Sequence, residues 1–332
     1  MKIIDHVNLI KSNKDYRYVY VISEIGVNHN GCLKTALKLI TASKEAGADA
    51  VKFQKRNLSE IYTQEILDDP NSAEWNIDYL IPILKEVELS ESDYRIIKRK
   101  CDDLDIELII TPFDIKSAQF CKDLDIDAFK ISSSEMVNFN LIECCADFCK
   151  PLIISTGMWT EREIKYAVEE YKKIKEFDFF MLLANSTYPT PYESINIKFL
   201  SELKKIHHLI GYSGHERGTF IPIAAQALGA QIVEKHITFD RSQTGPDHKA
   251  SMLPEEFKEM VSNIRSTSLA MGKDKVVNQS EKLAKESFAK SAYANKKIKK
   301  GQLLTKNDFI FKSPGKGLHV HEIQENLGKE VK

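Results

Sequence analysis

Between Tyr18 and Gly272, short apolar runs alternate with amphipathic stretches eight times over. The runs are Val19–Ile25, Ala50–Phe53, Glu107–Thr111, Ala128–Ile131, Leu152–Ser155, Phe179–Leu183, Leu209–Tyr212 and Gln231–Ile237. A run of four to seven apolar residues followed by apolar residues at helical spacing, as in Leu33, Ala36, Leu37 and Ile40, reads as one βα unit. Eight such units predict an α/β fold, a closed (β/α)8 (TIM) barrel, with reactive groups at the C-terminal ends of the strands. The search for chemistry therefore narrows to the residues that end each run.

At 332 residues the chain exceeds a barrel of roughly 250. The expected division is a barrel over 1–272, a linker rich in Lys, Asn, Ser and Glu over 273–286, and a small domain of short β-like runs and Gly/Pro turns over 287–332. A piece of about 45 residues is marginal alone, so it should dock on the barrel or on a partner subunit. Lys plus Arg (47) nearly cancels Asp plus Glu (48), and no basic stripe interleaves with aromatics, which argues against a nucleic-acid partner. No apolar run reaches the length of a membrane span and the amino terminus lacks a signal-peptide core, so the expectation is a cytoplasmic protein without a membrane partner. Cys144, Cys145 and Cys149 fall on a helix-like segment without paired CxxC spacing and read as reduced thiols.

The run ends are polar in a consistent way. The first closes on Glu24 before an Asn/Gly turn, where the ordinary explanation is an ion pair with a neighbouring loop. In the second, alternation puts Lys52 and Gln54 on one side and Val51 and Phe53 on the other. Lys52 would then bury its charge unless an anion met it there. Lys55 and Arg56 follow and default to a solvated face, and the loose stretch 56–80, with Trp75, Asn76 and Tyr79, reads as a lid or substrate-binding excursion. The fourth run ends in Lys130 to Glu135, which holds a cation, three hydroxyls including Ser133, and a carboxylate. Ser155 ends the fifth, and two prolines should rigidify the loop presenting Tyr188 after the sixth. The apolar stretches Leu209–Tyr212 and Gln231–Val233 are each followed three residues later by a histidine, His215 and His236, which adjacent parallel strands would aim into a common site as potential metal ligands. The Asp247-His248 loop can fold back over them, His248 either touching substrate or supporting the loop, and His29 sits in a turn near the same face.

The stretches SEIGVNHNG, ADAVKFQ, KISSSE, ISTGM, TYPTP, GYSGH, VEKHITFD and GPDHKAS, in this order, resemble the sialic acid (nonulosonic acid) synthase family over nearly the whole chain, and residues 287–332 are similar to its antifreeze-like (SAF) domain. The resemblance implies condensation of phosphoenolpyruvate with an open-chain N-acylmannosamine-type sugar to a nonulosonic acid and phosphate. It places a divalent metal, usually manganese with magnesium or cobalt as alternatives, on His215 and His236. Phosphoenolpyruvate falls to Lys52, Lys130, Ser133, Ser155 and Ser213, and the sugar to Glu24, Gln54, Tyr188 and Asp247. Glu135 matches the carboxylate beside the reacting carbons, with Glu24 as the alternative catalytic group. The resemblance further implies a domain-swapped homodimer in which each tail covers the other subunit's mouth. Three departures stand out: Gly214 where many members carry aspartate, Ser313 where sialic acid synthases often present an arginine, and a tail ending at Lys332, before the family's usual final strand. A carboxylate that orients His215 must then come from elsewhere. Two other readings stand beside this one: a Schiff-base pyruvate aldolase on Lys52 or Lys130, and a catalytically silent member serving as an interaction module.

Overall fold

Every one of the eight runs is a strand in the computed structural model, which describes residues 1–13, 16–69 and 77–332. The strands are β1 (Tyr20–Gly26), β2 (Ala50–Lys55), β3 (Glu107–Pro112), β4 (Ala128–Ile131), β5 (Leu152–Ser155), β6 (Phe179–Ala184), β7 (Ile210–Gly214) and β8 (Ile232–His236). They pair in parallel in chain order, and β8 closes the barrel on β1 through Tyr20 opposite Ile232 and Glu24 opposite His236. Several strands run past the apolar stretch, β2 to Lys55 and β7 to Gly214, because the ladder needs only backbone groups and continues under polar side chains. That extension carries the polar residues to the barrel mouth.

Alternation along the strands sorts residues into two cores. Outward residues such as Val21, Val51, Phe53 and Leu108 join Leu39, Ile40, Ile97 and Ile164 of the surrounding helices in the larger one. Each fully buried side chain of this kind contributes about 1.5–3 kcal/mol. Inward residues Tyr20, Ile22, Ile109, Ile153, Phe180 and Ile232 fill the lower barrel. A helix at Ile3–Ser12, which the strand pattern did not announce, plugs the bottom with Ile3, His6 and Val7. Above the apolar layers the inward positions become Glu24, Lys52, Lys130, Ser155, Ser213 and Glu234, all buried.

The excursion after β2 contains short helices at Leu58–Ile61 and Gln64–Asp68 and a longer one at Ile77–Val87. Trp75, Asn76 and the Tyr79 side chain lie outside the described residues. Asn57 and Ser90 cap helices here through side-chain acceptors for backbone N–H groups, Ser90 in a reciprocal capping box with Asp93.

The chain divides into two compact units, 1–271 and 272–332. Within the second, part of the stretch expected to be a linker is instead a helix, Gln279–Phe288, because Asn278 and Glu281 form a capping box before good helix formers. An antiparallel pair follows, β9 (Ser291–Ala294) and β10 (Phe309–Lys312). Ser313 there accepts from Lys290 at 2.8 Å and donates to the Phe288 carbonyl at 3.0 Å. No helix among the described residues is long and apolar enough to cross a membrane.

Candidate active site

The upper inward layer opens into a cavity of about 600 Å³ at the C-terminal mouth of the barrel. Lys52 stands at its floor, donating to Thr111 Oγ1 at 3.0 Å and pairing with Glu24 Oε1 at 2.9 Å and Glu234 Oε1 at 3.6 Å. Lys130 donates to Ser155 Oγ at 2.6 Å and to the Ile131 carbonyl at 2.9 Å. Ser213 donates to Glu234 Oε1 at 3.1 Å. The structure thus brings Glu24, Lys52, Lys130, Ser155 and Ser213 together, from five different strands, as their places at the strand ends predict.

Burial alone would neutralise such groups, and their mutual charges decide which stay ionised. Burial disfavours the Lys52 ammonium, but Glu234 and Glu24 outweigh it and its pKa rises. Glu24 is raised by burial against the pull of Lys52, whereas at Glu234 the charges of Lys52 and then Lys130 overcome burial and lower it. Burial brings Lys130 down to about 8 despite Glu234. The floor therefore holds charge on Lys52, Glu234 and, below about pH 8, Lys130, and of its two carboxyls Glu24 is the better able to carry a proton. Oε2 of Glu24 and Oε2 of Glu234 are both buried without a hydrogen-bond partner, so each can accept from a bound hydroxyl or water.

His215 and His236 stand side by side at the ends of β7 and β8, ring centroids 5.5 Å apart. His215 Nδ1 bonds the Asn185 carbonyl at 2.6 Å, which fixes the ring and frees Nε2. A backbone carbonyl, rather than a carboxylate, is thus what orients this imidazole. Burial lowers His215 to about 4 and takes His236 well below its ordinary value, so both rings are neutral at pH 7. His236 Nδ1 is buried without a partner, 3.7 Å from Asp247 Oδ2. Two neutral imidazoles, one anchored and one with an orphaned nitrogen, fit a divalent metal. Among the described residues no group of three or more His, Cys, Asp or Glu side chains is placed to hold a metal ion.

The remaining predicted residues line the cavity nearer its rim. Gln54 Nε2 donates to Glu24 Oε1 at 3.0 Å. Gly26, at φ +54°, lets Glu24, Gln54 and Asp247 converge, since a Cβ there would lie 3.1–3.2 Å from all three side chains. Burial, then the Glu24 charge, pushes Asp247 up to about 7. Tyr188 lies 4.0 Å from the His215 ring, centroid to centroid, yet remains 42% exposed at the mouth. Ser133 Oγ accepts from the Gly157 amide at 3.0 Å. Glu135 reaches the cavity wall, but its oxygens are taken by Asn138 at 2.7 Å and Ser134 at 3.2 Å, outside the Lys52 cluster. His248 faces Thr238 (2.8 Å) and Asn30 (3.3 Å) and supports the loop, while His29 stacks on Phe53 outside the cavity lining.

Two charged lining residues were not anticipated. Glu234 shares the inward parity of His236 two positions on, which is the signal that would have found it. Arg56, expected on a solvated face, is instead 6% exposed: its guanidinium lies 4.4 Å over the Phe113 ring, bonds Gln54 Oε1, and keeps Nη1 buried without a partner. It continues the parity of Lys52 and Gln54 past the end of the strand. Lys55 is likewise mostly covered and pairs with Glu88. A larger concavity of about 790 Å³, lined by Trp159, Leu183, Ile195 and Phe199 among others, holds none of these convergent buried charges.

Residues 39–276 match the NeuB family. The chain is 35% identical over 335 residues to the N,N'-diacetyllegionaminic acid synthase of Legionella pneumophila, covering 98% of this chain and 94% of that one. It is 34% identical over 318 residues to the N-acetylneuraminate-9-phosphate synthase of Homo sapiens, covering 94% and 88%. Its fold is similar to the crystal structure of an N-acetylneuraminic acid synthetase from Leptospira borgpetersenii, with a TM-score of 0.71, 31% identity and coverage of 80% of this chain and 90% of that one.

Proposed function

Because the chain belongs to the NeuB family, we propose that it condenses phosphoenolpyruvate with an open-chain N-acylmannosamine-type sugar, yielding a nonulosonic acid and phosphate. One observation supports this above others: a single cavity joins two buried lysines to two carboxylate oxygens and one imidazole nitrogen that have no partner. The lysines and the hydroxyls suit a small, multiply charged anion, and the open acceptors suit water and a hydroxylated co-substrate.

In the reaction, C3 of phosphoenolpyruvate forms a bond to the aldehyde carbon, whose oxygen gains a proton and becomes a hydroxyl. C2 acquires positive character, water adds there and loses one proton, and the bond from C2 to the phosphate oxygen breaks as the new C2 hydroxyl gives its second proton to the departing phosphate, leaving the 2-keto acid. Lys52, Lys130, Ser133, Ser155 and Ser213 hold the phosphate and carboxylate of the enol. Gln54, Tyr188 and Asp247 orient the sugar from the rim. We assign the proton lost by water to Glu135, with Glu24 as the alternative; Glu24, raised by burial, is the group able to hold a proton beside Lys52. His215 and His236 would hold a divalent metal, manganese first and magnesium or cobalt as alternatives, which when bound supplies Lewis-acid stabilisation of charge at the aldehyde oxygen.

The test is phosphate release from phosphoenolpyruvate with Mn²⁺ and a panel of N-acetylmannosamine, its 6-phosphate and 6-deoxy diacetamido sugars. Sugar-dependent release with one of them is expected; no release with any would overturn the reading. We also read the enzyme as a homodimer whose carboxy-terminal units serve the partner's mouth, and a sedimenting monomer with full turnover would rule this out.

A further inference from the structure

The cavity is lined by the inward residues of β7, β8 and their ends, Ser213, His215, Glu234 and His236. Their chain neighbours Glu216 and Lys235 point the other way. Lys235 and Glu216 are both wholly buried behind the barrel wall, on the side where Tyr212 joins the outer core, and neither lines the cavity. Lys235 Nζ donates to Glu216 Oε1 at 3.1 Å and to the Glu216 backbone carbonyl at 2.5 Å. Tyr212 donates its hydroxyl to Glu216 Oε2 at 2.6 Å. Gly214 makes room for this carboxylate, since a Cβ there would lie 2.6 Å from Glu216 Oε2 and 2.6 Å from the Tyr212 ring.

A buried ion pair of this kind gives little net stability compared with well-packed apolar residues, so its presence calls for a role in fixing geometry. Its place in the chain supplies one. Glu216 directly follows His215, Lys235 directly precedes His236, and Gly214 lies opposite Lys235 in the β7–β8 register. The backbone ladder ends at that register position, one residue short of His215. Beyond it, the Lys235 bonds to the Glu216 carboxylate and carbonyl continue the connection between the two strand ends.

We propose that Glu216, Lys235 and Tyr212 are positioning residues, a clasp behind the barrel wall that sets the separation of the His215 and His236 imidazoles in front of it. The inference rests on the reading of those imidazoles as the metal-holding pair. Lys235→Met alone would strand a buried carboxylate and could unfold the chain, so the test uses the double variant Glu216→Gln/Lys235→Met. Its amide still accepts from Tyr212, and no charge is left alone. Free Mn²⁺ is counted by electron paramagnetic resonance in a titration of the substrate-free protein, and folding is followed by circular dichroism without metal. A folded double variant that binds Mn²⁺ about 10- to 100-fold more weakly than the parent, with a shifted visible spectrum of its Co²⁺ form, is the expected result. Affinity kept within twofold would overturn the clasp and leave the pair merely structural. A parent protein that binds no Mn²⁺ would instead defeat the metal reading. In that event the crystal structure of the metal-free double variant decides the clasp: imidazole centroids displaced from 5.5 Å support it, and an unchanged spacing overturns it.

Discussion

The two ends of the barrel both bury a carboxylate, and they treat it differently. At the bottom, Glu107 Oε2 accepts from the Tyr20 hydroxyl at 2.5 Å and the Ile3 amide at 2.7 Å, neutral donors both, and burial raises its pKa to about 7. At the mouth, Glu24 and Glu234 share Lys52, with Lys130 nearby, and the cluster keeps charge on Lys52 and Glu234. Burial without a lysine alongside keeps the Glu107 carboxyl hard to ionise even against the two donors, which by themselves favour its charged form, and that suits a plug. Lysines keep a carboxylate ionised and leave oxygens open, which suits a site. The same barrel thus separates stability from chemistry along its axis.

Removing the mouth's cation should break the contrast most sharply. Lys52→Met leaves Glu24 and Glu234 facing each other without the cation that pairs with both, and we expect phosphate release to fall about 100- to 1,000-fold. Urea unfolding should show a loss of about 3–5 kcal/mol, the cost of an uncompensated buried charge. A variant of parental stability would mean the two carboxylates are not held apart by this lysine. Next come the imidazoles. His236→Ala and His215→Ala should each abolish metal-dependent turnover, by at least about 100-fold, but they should differ in stability. His236 Nδ1 has no partner to lose, whereas His215→Ala also leaves the Asn185 carbonyl without its donor, about 1 kcal/mol more by urea unfolding. Equal stabilities would remove the distinction between an anchored and a free ring. Arg56→Gln should act at the rim alone, raising the sugar KM about tenfold, or about 1.4 kcal/mol, with the phosphoenolpyruvate KM unchanged. An arginine on a solvated face would change neither constant.

Which parts of this were legible depended on whether the information was local. The eight strands were readable because each is a short apolar run bounded by helical spacing, and the inward parity of Lys52 and Gln54 followed from alternation. That parity also pointed to Arg56 and Glu234, but a default to solvent for a lysine-arginine pair hid the first, and attention to His236 hid the second. The bottom helix carries Ile3, Val7 and Ile10 at helical spacing, a pattern visible in the chain once the barrel is known to need a plug. The bonds between Glu216 and Lys235 were not readable at all. They depend on the β7–β8 register and on space beside Gly214, which are properties of two chain segments meeting and of neither alone.

The bottom end should leave activity untouched, and there the sign of a stability effect is the test. With a folded pKa of about 7 against an ordinary 4.5, Glu107 keeps its proton in the folded chain across a window where the unfolded chain releases it. Its contribution is therefore fully present below the unfolded value and is lost as pH rises from about 4.5 to about 7, after which it is flat, a span worth about 3 kcal/mol at most. His6, packed at the same end and lowered to about 4 chiefly by burial, has the opposite slope between about 4 and 6.5, because there the unfolded chain binds the extra proton. Glu107→Gln removes the first slope and keeps an acceptor for Tyr20 and Ile3. Urea unfolding of parent and variant at pH 5 and pH 8 should then show the variant gaining stability relative to the parent as pH rises, while phosphate release at saturating substrates is unchanged. A constant difference between the two proteins across that range would mean Glu107 is ionised in the folded barrel, and the contrast between its two ends would fail.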